Sequence, residues 1–276
     1  MTNKKFPKDY YLNLLKLVLT NYIYGEFETG AALALQKIGG LQVANFLKRW
    51  NLQLTYRKPF VKKERAIGSD WPAFAHTMIG IKGLDVIEFC LRDIIRKKIP
   101  GDTIEAGVWR GGASIFMKAV LTVFGETNRT VWVADSYAGL PPPNKHNFPH
   151  DATSDLHQVG FLAVAVDEVK NNFRKYGLLD RRVKFLKGWF KDTLPNAPIK
   201  HLALLRADGD MYESTMDILD NLYSKITPGG YVIIDDYYTI PACRQAVTDF
   251  RSRGSIFEKI RFISHVGGVY WQKKGP

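Results

Sequence analysis

Between Leu202 and Asp236 the chain reads LALLRADGDMYESTMDILDNLYSKITPGGYVIIDD. Two short apolar runs, Leu202 to Leu205 and Tyr231 to Ile234, flank a segment in which Met216, Leu219, Leu222 and Tyr223 recur at helical spacing. The stretch therefore predicts strand, helix, strand. Strands joined by a helical crossover pair in parallel, and their carboxyl ends open on one crevice. Asp208 and Asp210 follow the first run, and Asp235 and Asp236 follow the second. Four acids are thereby directed to one place, where they repel unless a cation lies between them. A hard divalent ion with oxygen ligands, Mg²⁺ first, accounts for such a convergence. The competing explanation is local: Asp208 and Asp210 cap the helix, and Asp235 and Asp236 open a turn.

The segment from Thr103 predicts a partner for these strands. TIEAG is β-prone and runs into VWRGG, and Ile115, Phe116, Ala119, Val120 and Val123 then mark the inner face of a helix. Strand, glycine turn and helix form the first unit of a nucleotide-type fold. Gly107, Gly111 and Gly112 let the backbone approach a ligand but do not spell G-x-G-x-x-G, which disfavours a pyrophosphate cofactor. TVWVAD is a second strand ending in Asp135, placed either to bind ribose hydroxyls or simply to form a turn. Residues 139 to 158 are too rich in Pro, Asn and Asp for regular structure, and so long a loop inside a domain is usually functional. Its histidines, His146, His150 and His157, follow no metal-ligand spacing and are expected to face solvent or substrate. A helix from Phe161 to Tyr176 and a strand from Arg182 to Leu186 lead to Gly188, Trp189 and Phe190, whose rings could stack on a purine or pack on a helix. A helix follows Pro241 to about Arg253, and Phe257 to Ser264 with Val269 to Gln272 predict a closing antiparallel pair.

Residues 1–65 are expected to form a helical extension or lid, and residues 66–276 the main domain. In the extension, Tyr11, Leu14, Leu15, Val18, Leu19 and Tyr22 fall on one stripe, which predicts a helix over Tyr10 to Tyr24 that packs on this chain or on a twin. Asn13, Lys16 and Asn21 interrupt the stretch, so it is not read as a membrane span. A second helical candidate follows Gly39-Gly40 and ends near Trp50. Ser69 to Met78 leads into a helix over Ile79 to Lys97, with Leu84, Ile87, Leu91 and Ile94 inward. Lys and Arg number 39 against 27 Asp and Glu, a net charge of +12. The basic residues are dispersed in short runs and read as solvated faces, so no nucleic acid partner is expected. Cys90 and Cys243 stand alone, so neither a disulfide framework nor a zinc motif is indicated, and a reducing cytoplasm is expected.

Beyond these local readings, HTMIG, IEAGVWRGGASIFM, VWVADSYAGLP, GWFKDTLP, LRADGDMYESTMD, GGYVIIDDY and PACRQAVTDFR together resemble the macrocin O-methyltransferase family, sugar O-methyltransferases of natural-product pathways. The resemblance covers roughly residues 8 to 25 and 66 to 272. It implies the α/β, Rossmann-like fold of class I S-adenosylmethionine-dependent methyltransferases, a mostly parallel sheet closed by an antiparallel strand. It implies Mg²⁺ held by Asp208, Asp235 and Asp236, and Asp210 as general base. For S-adenosylmethionine it implies Glu105 and the turn Gly107, Val108, Trp109, Arg110, Gly111 and Gly112, with Ser114, at the methionine end. Asp135 and Ser136 correspond to the ribose end, and Gly188, Trp189 and Phe190 to the adenine side. Thr77 and Met78 cover the cofactor, and Asp208 borders it. The implied acceptor is a hydroxyl of a glycosylated small molecule or glycan, with a catechol or other diol as the alternative, and the implied assembly is a homodimer or higher homo-oligomer. A nicotinamide-dependent oxidoreductase shares the strand, turn and ribose acid but leaves the acids of DGD and DDY unexplained. Ala106 replaces a residue that is often Thr in the family, and Tyr137-Ala138 replaces the acidic or polar residues frequent after DS; the second change leaves the acceptor open, because in the family that loop borders the substrate.

Overall fold

The computed structural model describes residues 7–27, 29–31, 46, 49–50, 55–57, 59–263 and 267–275. Helix α1 (Pro7–Leu19) starts on a proline, which suits the first helical turn. It buries Leu12, Leu15, Lys16 and Leu19, not the whole expected stripe: Tyr11, Leu14 and Val18 are 41%, 55% and 41% exposed. Lys16 shares the inward face, its ammonium 2.6 Å from both Asp85 and Glu88, so its buried charge is paired beneath the helix. Strands β1 (Thr29–Ala31) and β2 (Thr55–Arg57) pair antiparallel, so the expected helical extension contains a strand pair. The helical candidate after Gly39-Gly40 lies outside the described residues except at its end.

Helix α2 (Lys62–Ile67) stops at Gly68, which takes the left-handed conformation of a C-cap. Helix α3 (Gly80–Arg96) buries Leu84, Ile87, Leu91 and Ile94 as predicted. The chain then alternates: β3 (Asp102–Ala106), α4 (Gly112–Val123), β4 (Val131–Asp135), α5 (Val166–Lys175), β5 (Val183–Lys187), α6 (Phe190–Thr193), β6 (Leu202–Ala207), α7 (Tyr212–Leu222), β7 (Ile226–Ile234), α8 (Pro241–Arg253), β8 (Arg261–Phe262) and β9 (Val269–Gln272). The helix expected from Phe161 starts only at Val166, because residues 160–162 form a single 3-10 turn.

The sheet runs β5-β4-β3-β6-β7-β9-β8. The first five strands pair in parallel, and β9 and β8 close the edge antiparallel. Strands buried on both faces alternate between two cores. On β7, Tyr231 and Ile233 join a core containing Leu12, Ile87 and Phe116, while Val232 and Ile234 join one containing Ile218, Val247 and Trp271.

Register fixes what meets at the carboxyl edge. Ala106 pairs with Ala134 and Ala207, and Ala207 pairs with Ile234. One residue further, the Gly107 N–H donates to Ala134 O at 2.9 Å, Asp208 to Ala106 O at 2.8 Å and Asp235 to Ala207 O at 3.0 Å. Residues distant in sequence thus leave the sheet side by side. Gly107 must be glycine here, because a Cβ would come within 1.8 Å of the Asp208 carbonyl oxygen at a φ of +90°.

Candidate active site

A cavity of about 450 Å³ opens on this carboxyl edge, and all four aspartates of DGD and DDY line it. Carboxylate oxygens of Asp208, Asp210 and Asp236 lie within 4.8 Å of one another. Asp235 is directed elsewhere: its Oδ1 lies 2.6 Å from Nη2 of Arg206. The same guanidinium, 1% exposed, reaches Glu105 Oε1 at 2.7 Å and Asp208 Oδ2 at 2.9 Å through Nη1. Arg206 therefore sits at the centre of the acids, which the sequence reading passes over. Its signal was a lone cation inside an otherwise apolar strand.

Helix α7 settles the capping alternative for Asp210. Its N-cap, Met211, supplies no side-chain hydrogen bond. The N–H groups of Tyr212 and Glu213 instead donate to Asp151, at 2.6 and 3.0 Å. Asp210 is left with its side chain in the cavity and its backbone at φ +55°, a region that non-glycine residues occupy at a cost of about 1–3 kcal/mol.

Burial is the first cause that lifts the carboxyls of Asp210, Asp235, Asp236 and Glu105. It raises Asp210, with the charges of Asp208 and Asp235 adding to it. It raises Asp235, against which the Arg206 charge works. Asp236 is raised well above the ordinary range by burial and then by Asp210 and Asp208. Glu105 is pushed up to about 7, its burial outweighing the Arg206 charge. Among the described residues Asp236 Oδ2 is buried with no hydrogen-bond partner. A cluster of hard oxygens with one orphaned acceptor fits a hard divalent cation such as Mg²⁺.

The turn after β3 separates the expected cofactor residues into two groups. Glu105, Gly107, Val108 and Trp109 line the cavity, as do Asp135 and Ser136. Thr77, Met78, Trp189 and Phe190 line it too. Arg110, Gly111, Gly112, Ser114 and Gly188 do not. Arg110 donates to the carbonyls of Ala73 and Ala75 at 2.7 and 3.0 Å. Gly112 donates to His76 O at 2.8 Å, and a Cβ there would come within 2.3 Å of that oxygen. Ser114 donates to Glu105 Oε2. Arg110 and Gly112 thus hold the protein's own backbone and Ser114 the Glu105 carboxylate, and the glycine at 112 is required by the approach of His76 O.

Asp135 accepts from Val108 N–H at 2.8 Å through Oδ2 and from Tyr137 N–H at 2.7 Å through Oδ1. Both carboxylate oxygens are engaged, and their further lone pairs remain as acceptors. Tyr137 turns into the core, where its hydroxyl donates to Val133 O at 2.8 Å, so it does not border the cavity. His146 and His150 are exposed, and none of the three loop histidines lines the cavity. The loop contributes Leu140, Pro141 and Leu156 instead. Asp70, which no local pattern singles out, also lines the cavity, and Arg65 holds it at 2.7 Å while donating to Thr20 O at 3.0 Å. Among the described residues no helix is long and apolar enough to cross a membrane.

A family profile described as Macrocin-O-methyltransferase (TylF) matches residues 8–273. The 8-demethyl-8-(2,3-dimethoxy-alpha-L-rhamnosyl)-tetracenomycin-C 4'-O-methyltransferase of Streptomyces olivaceus is 46% identical over 266 residues, 96% of this chain and 93% of the relative. The demethyldecarbamoylnovobiocin O-methyltransferase of Streptomyces niveus is 51% identical over 220 residues, 79% of this chain and 82% of the relative. The solved structure of the O-methyltransferase NovP superposes with a TM-score of 0.83 at 45% identity, covering 97% of this chain and 100% of that one. With the family profile matched over residues 8–273 and relatives this similar over nearly the whole chain, the chain belongs to the macrocin O-methyltransferase family and is an O-methyltransferase.

Proposed function

We propose that the enzyme moves the methyl group of S-adenosylmethionine to a sugar hydroxyl of a glycosylated natural product, with Mg²⁺ at the acid cluster. The acceptor class follows the relatives, one of which is named for a rhamnosyl tetracenomycin. The observation that carries the mechanism is the cavity-facing Asp210, free of any capping duty because Asp151 performs it. In this reading Asp208 and Asp236, with the oxygen of Asp235 that Arg206 does not hold, bind the cation. A bound Mg²⁺ supplies positive charge that lowers the pKa of a nearby hydroxyl.

The remaining work belongs to the chain. Glu105, Asp135 and the turn between Gly107 and Trp109 would hold the donor, Thr77 and Met78 would cover it, and Trp189 and Phe190 would offer rings to its purine, all of them lining the cavity. Asp210 accepts the acceptor's proton, which its burial-raised affinity favours. The acceptor oxygen forms a bond to the methyl carbon as the carbon–sulfur bond breaks, so S-adenosylhomocysteine departs with the sulfur electron pair and the proton rests on Asp210. Alignment dominates such a displacement, and the apolar walls formed by Leu140, Pro141, Leu156 and Leu162 exclude water from it.

The test is transfer of labelled methyl from S-adenosylmethionine to a panel of glycosylated metabolites, free sugars, sugar nucleotides and catechols, with Mg²⁺ or with excess chelator. Transfer to glycosylated metabolites that stops in chelator is expected. Transfer to catechols alone would overturn the acceptor class, and undiminished transfer in chelator would remove the metal.

A further inference from the structure

Asp151 lies in the long loop between β4 and α5, about sixty residues before the helix it touches, and takes no part in the chemistry just described. Its side chain is 0% exposed. Both oxygens are used: Oδ1 accepts from the Tyr212 N–H and Oδ2 from the Glu213 N–H. These are the first two N–H groups of α7, which an isolated helix leaves without partners. A cap normally comes from the residue just before the helix. That residue here is Met211, which is buried and has no acceptor oxygen. The helix start is therefore completed only when the loop is seated.

The contact is reinforced around Tyr212. His150 stacks on its ring at 5.2 Å, Phe148 packs at 6.2 Å, and its hydroxyl donates to Asp249 of α8 at 3.0 Å. The other end of the loop is tied to the donor side of the cavity. Ser136 Oγ donates to Gly139 O at 2.6 Å, and Asp135 holds the Tyr137 N–H. Between these anchors Leu140 and Pro141 line the cavity. Asp210 stands two residues before the capped N–H of Tyr212, at a backbone angle that the surroundings must enforce.

We infer that Asp151 is a positioning residue for the transfer reaction: by capping α7 from the loop, it joins the seating of the cavity wall at Leu140 and Pro141 to the orientation of the Asp208–Asp210 turn. The inference rests on the reading of Asp210 as the base, but the cap can be measured apart from it. Filling the cavity against the loop should steady the turn, and releasing the cap should disorient the turn while leaving the donor end intact. A displacement of about an ångström at a reacting group is enough to lower a rate by about 10²-fold.

The experiment compares wild type with D151A and D151N in the full chain. Hydrogen exchange is followed at the amides of Tyr212 and Glu213, S-adenosylhomocysteine affinity by calorimetry, and kcat and KM with the best acceptor of the panel. For D151A the two amides should exchange at least about tenfold faster, amides of β3 and β4 should be unchanged, kcat should fall by about tenfold or more, and S-adenosylhomocysteine should bind within about twofold of wild type. D151N keeps the shape of the side chain but only one acceptor oxygen, so it should recover only part of both losses, where a merely space-filling role would recover all of them. Should D151A fail to fold, D151N alone decides, with smaller changes in the same two readouts. Unchanged exchange at Tyr212 and Glu213, or faster exchange with wild-type kcat, overturns the inference. If D210N retains full turnover, the base assignment fails by itself, and the exchange and donor-affinity readouts still show whether Asp151 orders the turn.

Discussion

Replacing Arg206 with methionine tests whether the acids are held by charge or only by packing. The guanidinium is 1% exposed and contacts Glu105, Asp208 and Asp235 within 2.9 Å. Methionine fills a similar volume but leaves those carboxylates without their cation. The side chains of Asp208 and Asp235 are each 27% exposed to the cavity, where water relieves them, but Glu105 is only 2% exposed. Removing one partner of a buried pair costs about 3–5 kcal/mol, and for a chain near this size that lowers Tm by roughly 6–20 °C. The loss should depend on pH. Glu105 is raised from 4.5 to about 7, so the folded state holds its proton more tightly than the unfolded chain does, and stability falls as pH rises through that window. Without Arg206 the carboxyl is lifted further, so ionising it costs more, and the gap between R206M and wild type should be smaller at about pH 5.5 than at about pH 8. Equilibrium urea unfolding followed by far-UV circular dichroism at both pH values measures this. A gap under about 1 kcal/mol, or one of equal size at both pH values, would refute the electrostatic account.

Three further substitutions separate the remaining roles. D210N should lower turnover by about 10²-fold or more with Mg²⁺ and S-adenosylhomocysteine affinities nearly unchanged in calorimetry; loss of Mg²⁺ affinity instead would make Asp210 a ligand. D236N should weaken Mg²⁺ binding, since an amide replaces a charged oxygen donor, while S-adenosylhomocysteine still binds; unaltered Mg²⁺ affinity would place the ion elsewhere. G107A would drive a Cβ into the Asp208 carbonyl at 1.8 Å and should lower the unfolding free energy by about 3 kcal/mol or more, measured by urea unfolding, whereas wild-type stability would mean that the turn yields.

What the sequence made legible was local. The parallel strands and the convergence of Asp208, Asp210, Asp235 and Asp236 follow from apolar period and from acids at strand ends, and β3, β4, β6 and β7 lie where that pattern predicts them. On α1 the apolar stripe foretells the burial of Leu15 and Leu19 but not that of Lys16, whose charge is paired with Asp85 and Glu88 on the neighbouring helix. The strand pair β1–β2 is three residues on each side, too short for alternation to register. Arg206 and Asp151 escaped because their roles lie in contacts across the fold: Arg206 with Glu105 on the neighbouring strand, and Asp151 with a helix it precedes by about sixty residues. Composition marked both as polar residues in otherwise unremarked positions, and only the tertiary structure says what they touch.

The ion pair of Glu105 and Arg206 also bears on how the sheet is assembled during synthesis. Strands β3, β4 and β5 leave the ribosome before β6, so β3 is for a time the exposed edge of a three-stranded sheet. Glu105 places a negative charge in that edge, and two such edges repel where bare apolar strands would adhere. When β6 arrives, Glu105 lies opposite Arg206 in the register. A slip of one residue would bury both charges unpaired, so the pair that orders the acids of the finished enzyme also pins the central strands of the sheet against misalignment.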